Sequence, residues 1–123
     1  MDAKTKKIFI ADDDEAIVDA TTMMLEFAGY QVDHTLNGAV VIEALTSRPD
    51  LVLLDIWMSG IDGRDVCRAI KANPETMDIP VLMISASRDI RESALESGAN
   101  DFLAKPFDMN VLISKIEDLT GKN

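Results

Sequence analysis

A chain of 123 residues is long enough to bury a core without disulfide or metal staples, and it leaves little room for a second domain. A hydrophobic content of 47% excludes a disordered chain, and 12 basic residues against 22 acidic ones, a formal charge of −10, argue against binding nucleic acid or an anionic membrane. The single cysteine, Cys67, excludes an internal disulfide and points to a reducing, cytoplasmic setting; no apolar run approaches a membrane span, and residues 1–7 are polar, without a signal-peptide core.

Apolar runs and helical stripes alternate along the chain. Residues 8–11 read as a strand and are followed at once by Asp12, Asp13 and Asp14. Ile17, Thr21, Met24, Leu25 and Ala28 fall on one helical face, and Gly29 makes a stop. A second strand lies around Val32. Val40, Val41, Ala44 and Leu45 share a face of a helix that must end before Pro49. Residues 51–54 form a third strand, with Asp55 directly after it. Val66, Ala69 and Ile70 form the next stripe, closed by Asn73 and Pro74. Residues 81–84 read as the fourth strand, followed by Ser85. Ile90, Ala94 and Leu95 form a stripe with Ser87 as its N-cap and Gly98 as its stop. Residues 102–104 are the last strand, Lys105 follows, and Leu112, Ile116 and Leu119 form a final helix after Asp108.

Five strand–helix repeats of this kind predict an α/β fold. The expected form is a five-stranded parallel sheet of order 2-1-3-4-5, doubly wound and flavodoxin-like, with helices on both faces and the whole of residues 1–123 as one domain. The runs are continuous rather than alternating, which suits strands buried on both faces. Open parallel sheets bind ligands beyond the carboxyl ends of their strands. The residues at those ends are Asp12, Asp13, Asp55, Ser85 and Lys105. Clustered carboxylates without nearby His or Cys suit a hard cation, Mg²⁺ or alternatively Mn²⁺, rather than zinc. A hydroxyl and an ammonium opposite them suit the oxygens of a phosphoryl group.

The strings IFIADDDEAI, LVLLDIWMSGIDG, VLMISAS and DFLAKPF resemble the receiver domains of bacterial response regulators, and the resemblance covers nearly the whole chain. It implies a phosphoacceptor domain of a two-component system, not a conventional enzyme, that promotes its own aspartyl phosphorylation and dephosphorylation. Asp55 would take the phosphoryl group. Asp13, Asp55 and the backbone carbonyl of Trp57 would bind Mg²⁺, with Asp12 partly through water. Ser85 and Lys105 would hold phosphoryl oxygens, Ser85 and Phe102 would act as the switch, and the Lys105–Pro106 bond would be cis. The implied donor is a sensor histidine kinase or a histidine phosphotransfer protein. The implied output is an effector or second copy docked on the face of the fourth helix, fifth strand and fifth helix. Ser85 stands where Thr is commoner, Ser59 where Pro is usual, and Trp57 is large for its place.

Plainer readings apply to other residues. Asp14 reads as an N-cap, His34 as a surface residue of an edge strand, Cys67 as a helix-packing residue, and the seven methionines as core filler. Three rival functions are weighed at this level; one, a pseudo-receiver that serves purely as a docking protein, is disfavoured because such chains usually lack one of the core groups and this one keeps all of them. A haloacid-dehalogenase-like phosphatase would use the Asp-x-Asp of residues 12–14, but it leaves Asp55 unexplained and expects a longer chain. A flavodoxin-like cofactor module would need a phosphate loop that the acidic residues 12–14 would repel.

Overall fold

The computed structural model describes residues 5–121. Its main sheet contains β1 (Lys7–Ala11), β2 (Gln31–Thr35), β3 (Leu51–Asp55), β6 (Val81–Ser85) and β7 (Asp101–Ala104), all parallel, in the order β2-β1-β3-β6-β7. Counting only these strands, that is the expected order 2-1-3-4-5. Between them run α1 (Glu15–Phe27), α2 (Val41–Ala44), α3 (Gly63–Ala72), α4 (Arg91–Glu96) and α5 (Met109–Thr120).

Strand alternation divides the core into two layers. Ile8, Ile10, Leu51, Leu53, Leu82, Ile84 and Leu103 face α1 and α5, where Val18, Leu25, Leu112 and Ile116 cover them. Phe9, Val52, Leu54, Val81, Met83 and Phe102 face the other way, onto Val41, Leu45, Val66, Cys67, Ile70 and Ala94. Both faces of the central strands are therefore dry, as the continuous apolar runs predict. The edge strand β2 departs from this expectation. Its Gln31 and Asp33 are exposed, because only one neighbouring strand covers an edge, and His34 is exposed too, as expected for an edge-strand surface residue.

The helices begin where short polar side chains can satisfy free backbone N–H groups. Asp14 accepts from the N–H groups of Ala16 and Ile17, Asp62 from Arg64, and Asp108 from Asn110, so α1, α3 and α5 are all capped by aspartate. The short α2 and α4 follow 3₁₀ turns at Gly38–Val40 and Arg88–Ile90, and their N-cap positions, Val40 and Ile90, supply no side-chain bond. Ser87 is thus not the cap of α4. Its N–H instead donates to Ser85 Oγ.

The predicted stripes hold at Thr21, Leu25, Val66 and Ile70, and Cys67 packs as expected, but other members differ. In α1 Val18 is buried while Met24 and Ala28 are exposed, and in α3 Cys67 is buried while Ala69 is exposed. The methionines are not uniformly core filler either. Met58 and Met83 are buried, whereas Met23, Met24 and Met77 are exposed; Met1 lies outside the described residues. An antiparallel pair, β4 (Trp57–Met58) and β5 (Ile61–Asp62), was not expected from the sequence.

Candidate phosphoacceptor site

Register brings the polar residues together. Ala11 pairs with Leu54 and Asp55 pairs with Ile84, so Asp12 and Asp55 leave adjoining strands side by side. The alternation that turns Ile10, Leu53 and Leu103 toward α1 and α5 carries Asp12, Asp55 and Lys105 to that same face. Lys105 Nζ lies 2.9 Å from Asp12 Oδ2 and 3.2 Å from Asp55 Oδ1. Asp12 is fully buried, its other oxygen accepting from the N–H of Asp14 at 3.0 Å.

Such burial disfavours charge. It pushes the Asp55 carboxyl from its ordinary 3.8 up to about 6, and the neighbouring charge of Asp12 adds to this against the opposing pull of Lys105 and the Ile56 N–H. Burial alone would lower the Lys105 ammonium. The hydrogen bond to Asp12 and the charges of Asp55 and Asp12 outweigh it and hold Lys105 above its ordinary value. Two carboxylates thus share one resident cation, which leaves the rim short of positive charge.

Asp13 is exposed, and its Oδ2 accepts from both the N–H of Ser59 at 2.8 Å and the Ser59 hydroxyl at 2.9 Å. One ligand oxygen from each of Asp12, Asp13 and Asp55 can be chosen so that all lie within 4.8 Å of one another. This donor set consists of carboxylate oxygens alone, and it fits a small hard cation such as Mg²⁺. Trp57 stands two residues past Asp55 in β4, with its side chain more than half exposed.

Ser85 ends β6 and is buried, opposite Ala104. By strand alternation it shares a face with Met83 and Phe102, the face opposite Lys105. Phe102 pairs with Met83, so Ser85 and Phe102 lie on a diagonal of the β6–β7 ladder. Phe102 is already buried, at 4% exposure, whereas an aromatic that turns in on activation would start outside. The Lys105–Pro106 bond is cis, as the resemblance implies.

Two supporting residues escaped the sequence reading. Gly63 opens α3 against the back of Asp55, its N–H donating to the Ile56 carbonyl at 2.6 Å. A Cβ at Gly63 would run into the Asp55 carbonyl oxygen and come within 2.9 Å of Ile56 Cα, so only glycine fits without moving the end of β3. The signal was present as Asp62-Gly63 at a helix start, but close backbone approach leaves no periodicity to read. Arg64 is the second. Its guanidinium grips Asp62 at 2.7 Å and reaches Ser93 Oγ at 3.0 Å, tying the start of α3 to α4.

Comparisons with known proteins agree with this geometry. The family model described as the response regulator receiver domain matches residues 8–117. The chain is 38% identical over 116 residues to the DNA-binding dual master transcriptional regulator RpaA of Synechocystis sp., covering 92% of this chain and 48% of that protein. It is 41% identical over 118 residues to the response regulator PleD of Caulobacter vibrioides, covering 93% of this chain and 26% of that protein. The chain therefore spans about half or less of the length of these curated relatives. Among solved structures, the signal receiver domain of a signal transduction histidine kinase from Syntrophus aciditrophicus superposes with a TM-score of 0.86 at 34% identity, covering 94% of this chain and 90% of that one. The receiver domain of NtrX from Brucella abortus gives a TM-score of 0.84 at 32% identity, covering 94% and 99%. With the parallel five-stranded sheet and the Asp12–Asp55–Lys105 cluster at its rim, these matches show that the chain belongs to the response regulator receiver domains, the phosphoacceptor modules of two-component signalling.

Proposed function

We propose that Asp55 is the phosphoacceptor, taking its phosphoryl group from the phosphohistidine of a sensor kinase or histidine phosphotransfer protein. The observation that carries this reading is the single ammonium of Lys105 placed against both Asp12 and Asp55 on the ends of neighbouring strands. A carboxylate oxygen of Asp55 attacks phosphorus as the bond to the donor nitrogen breaks. Asp55 thereby loses its own negative charge, and Lys105 is released to pair with a phosphoryl oxygen. Ser85 offers a hydroxyl to another. Mg²⁺ held by Asp12, Asp13, Asp55 and the Trp57 carbonyl would supply neutralisation of the charge gathered on those oxygens; Mn²⁺ fits the same donors.

The output follows from the Ser85–Phe102 diagonal. If Ser85 moves toward the phosphoryl group, the packing around Phe102 changes, and with it the surface formed by α4, β7 and α5. Because Phe102 starts buried, the change is a repacking within the layer and not an inward swing. A downstream effector or a second copy would dock on that surface. The domain works in the cytoplasm on this reading; among the described residues no helix is long and apolar enough to cross a membrane.

The test is intact-mass measurement after incubation with Mg²⁺ and acetyl phosphate. The chain should gain one phosphoryl group and Asp55→Asn should gain none. Equal phosphorylation of the variant overturns the assignment.

A further inference from the structure

Ser59 carries a combination of features that the phosphoacceptor reading does not use. Its φ of +49 lies in the left-handed region, as does the +89 of Gly60, so the two residues form the tight turn between β4 and β5. Glycine adopts such a φ freely, but a serine there is strained. What the serine adds over glycine is a hydroxyl, a second donor to the acceptor that its N–H already reaches. Its N–H and its hydroxyl both bond to Asp13 Oδ2, at 2.8 and 2.9 Å. Among the described residues no N–H or O–H reaches Asp13 Oδ1. Proline, the residue the family resemblance leads one to expect at this position, has no N–H and a fixed negative φ, so it could make neither bond.

We propose that Ser59 is a positioning residue for Asp13 that sets the cation preference of the site. It holds Oδ2 and leaves only Oδ1 to coordinate, and so favours Mg²⁺ over Ca²⁺. This rests on the reading of Asp13 as a metal ligand. Mg²⁺ takes six ligands in tight octahedral geometry and uses carboxylates through one oxygen. Ca²⁺ takes six to eight, and often gains the extra contacts by gripping a carboxylate through both oxygens. A doubly hydrogen-bonded Oδ2 would have to be stripped of both donors before Asp13 could bind in that bidentate way. The two donors also fix the direction of Oδ1 before any cation arrives, which lowers the ordering cost of a one-oxygen contact.

Ser59→Gly is the cleanest probe, because it suits the positive φ and keeps the N–H while deleting the hydroxyl; Ser59→Pro deletes both donors. Binding is read from the rise in melting temperature of the whole chain with MgCl₂ and separately with CaCl₂, each variant being compared with itself. The quantity of interest is the ratio of the two dissociation constants, which a general loss of stability would not move. Ser59→Gly should lower the preference for Mg²⁺ by about threefold or more, chiefly through tighter Ca²⁺ binding, and Ser59→Pro should lower it at least as far. A wild-type ratio in either variant overturns the proposal, while the reading of Asp13 as a ligand survives if Asp13→Ala still abolishes the Mg²⁺ response. No Mg²⁺ response in the wild-type chain overturns both.

Discussion

The strands of the sheet are built differently along their length. In their middles Ile10, Leu53, Leu82 and Leu103 meet only apolar partners, and the first three are almost completely inaccessible. Two or three residues further on, at or just past the ends of the same strands, stand Asp12, Asp55 and Ser85, buried but charged or polar, and the half-buried Lys105. Leu53 and Asp55 are two residues apart on one strand and one face, yet the first is held where it is most stable and the second where its charge is penalised. The difference teaches that the apolar middle fixes the geometry and the rim spends part of that stability on reactivity. A buried carboxylate such as Asp55, which a half-buried lysine neutralises only in part, gains from an arriving cation or a covalent change that removes its charge.

Substitutions along β3 and β7 sharpen this contrast. Leu53→Ala should cost the most, about 3–4 kcal/mol in urea unfolding, because the site is fully packed and can collapse little. Lys105→Met should come next, at about 2–3 kcal/mol in metal-free buffer, since it leaves Asp12 and Asp55 buried without their cation. A loss below about 0.5 kcal/mol would mean that the ammonium is not what holds the two acids together.

Asp55→Asn should move the other way. The folded chain keeps the Asp55 proton up to about pH 6, whereas an ordinary carboxyl releases it near 3.8. Asp55 therefore contributes its full share of stability at the acid end. That share is lost as pH rises from about 4 through 6, and above this the contribution is flat. In EDTA at pH 7 the asparagine variant should be more stable by about 1–2 kcal/mol, a gain smaller than the full linkage value because Asn also gives up the Lys105 contact. Near pH 4 most of the gain should vanish. Urea midpoints across pH 4–8 measure it, and a variant less stable than wild type at pH 7 would break the contrast. The smallest effect expected is kinetic: if Asp55 carries the phosphoryl group, Trp57, more than half exposed two residues away, should slow water's approach, so Trp57→Asn should release phosphate roughly threefold faster. Equal or slower release would mean the ring does not shield Asp55.

What could be read from the sequence follows the same division. Buried parallel strands leave apolar runs that stand out from any background, and the residue after each run marks the rim, so Asp12, Asp55, Ser85 and Lys105 were legible once the strands were. The two-residue strands Trp57–Met58 and Ile61–Asp62 are too short to carry a period, and a serine at positive φ carries no compositional signal, so the hairpin and the Ser59–Asp13 bonds were not. The exact stripe of α1 was also hidden. Met23, Met24 and Phe27 are apolar but exposed, which blurs the face that Val18, Thr21 and Leu25 bury. In α4 the uncapped start at Ile90 follows a 3₁₀ turn, and Ser87 is drawn to Ser85 instead, a tertiary preference that local cap rules cannot anticipate.

The central claim is that one carboxylate, Asp55, forms the acyl phosphate. Borohydride reduces an acyl phosphate to the alcohol, so an aspartyl phosphate becomes homoserine at the residue that carried it. After incubation with Mg²⁺ and acetyl phosphate, reduction and peptide mapping should place homoserine at position 55, with Asp12 and Asp13 recovered unchanged. Homoserine at position 12 or 13, with Asp55 intact, would contradict the account.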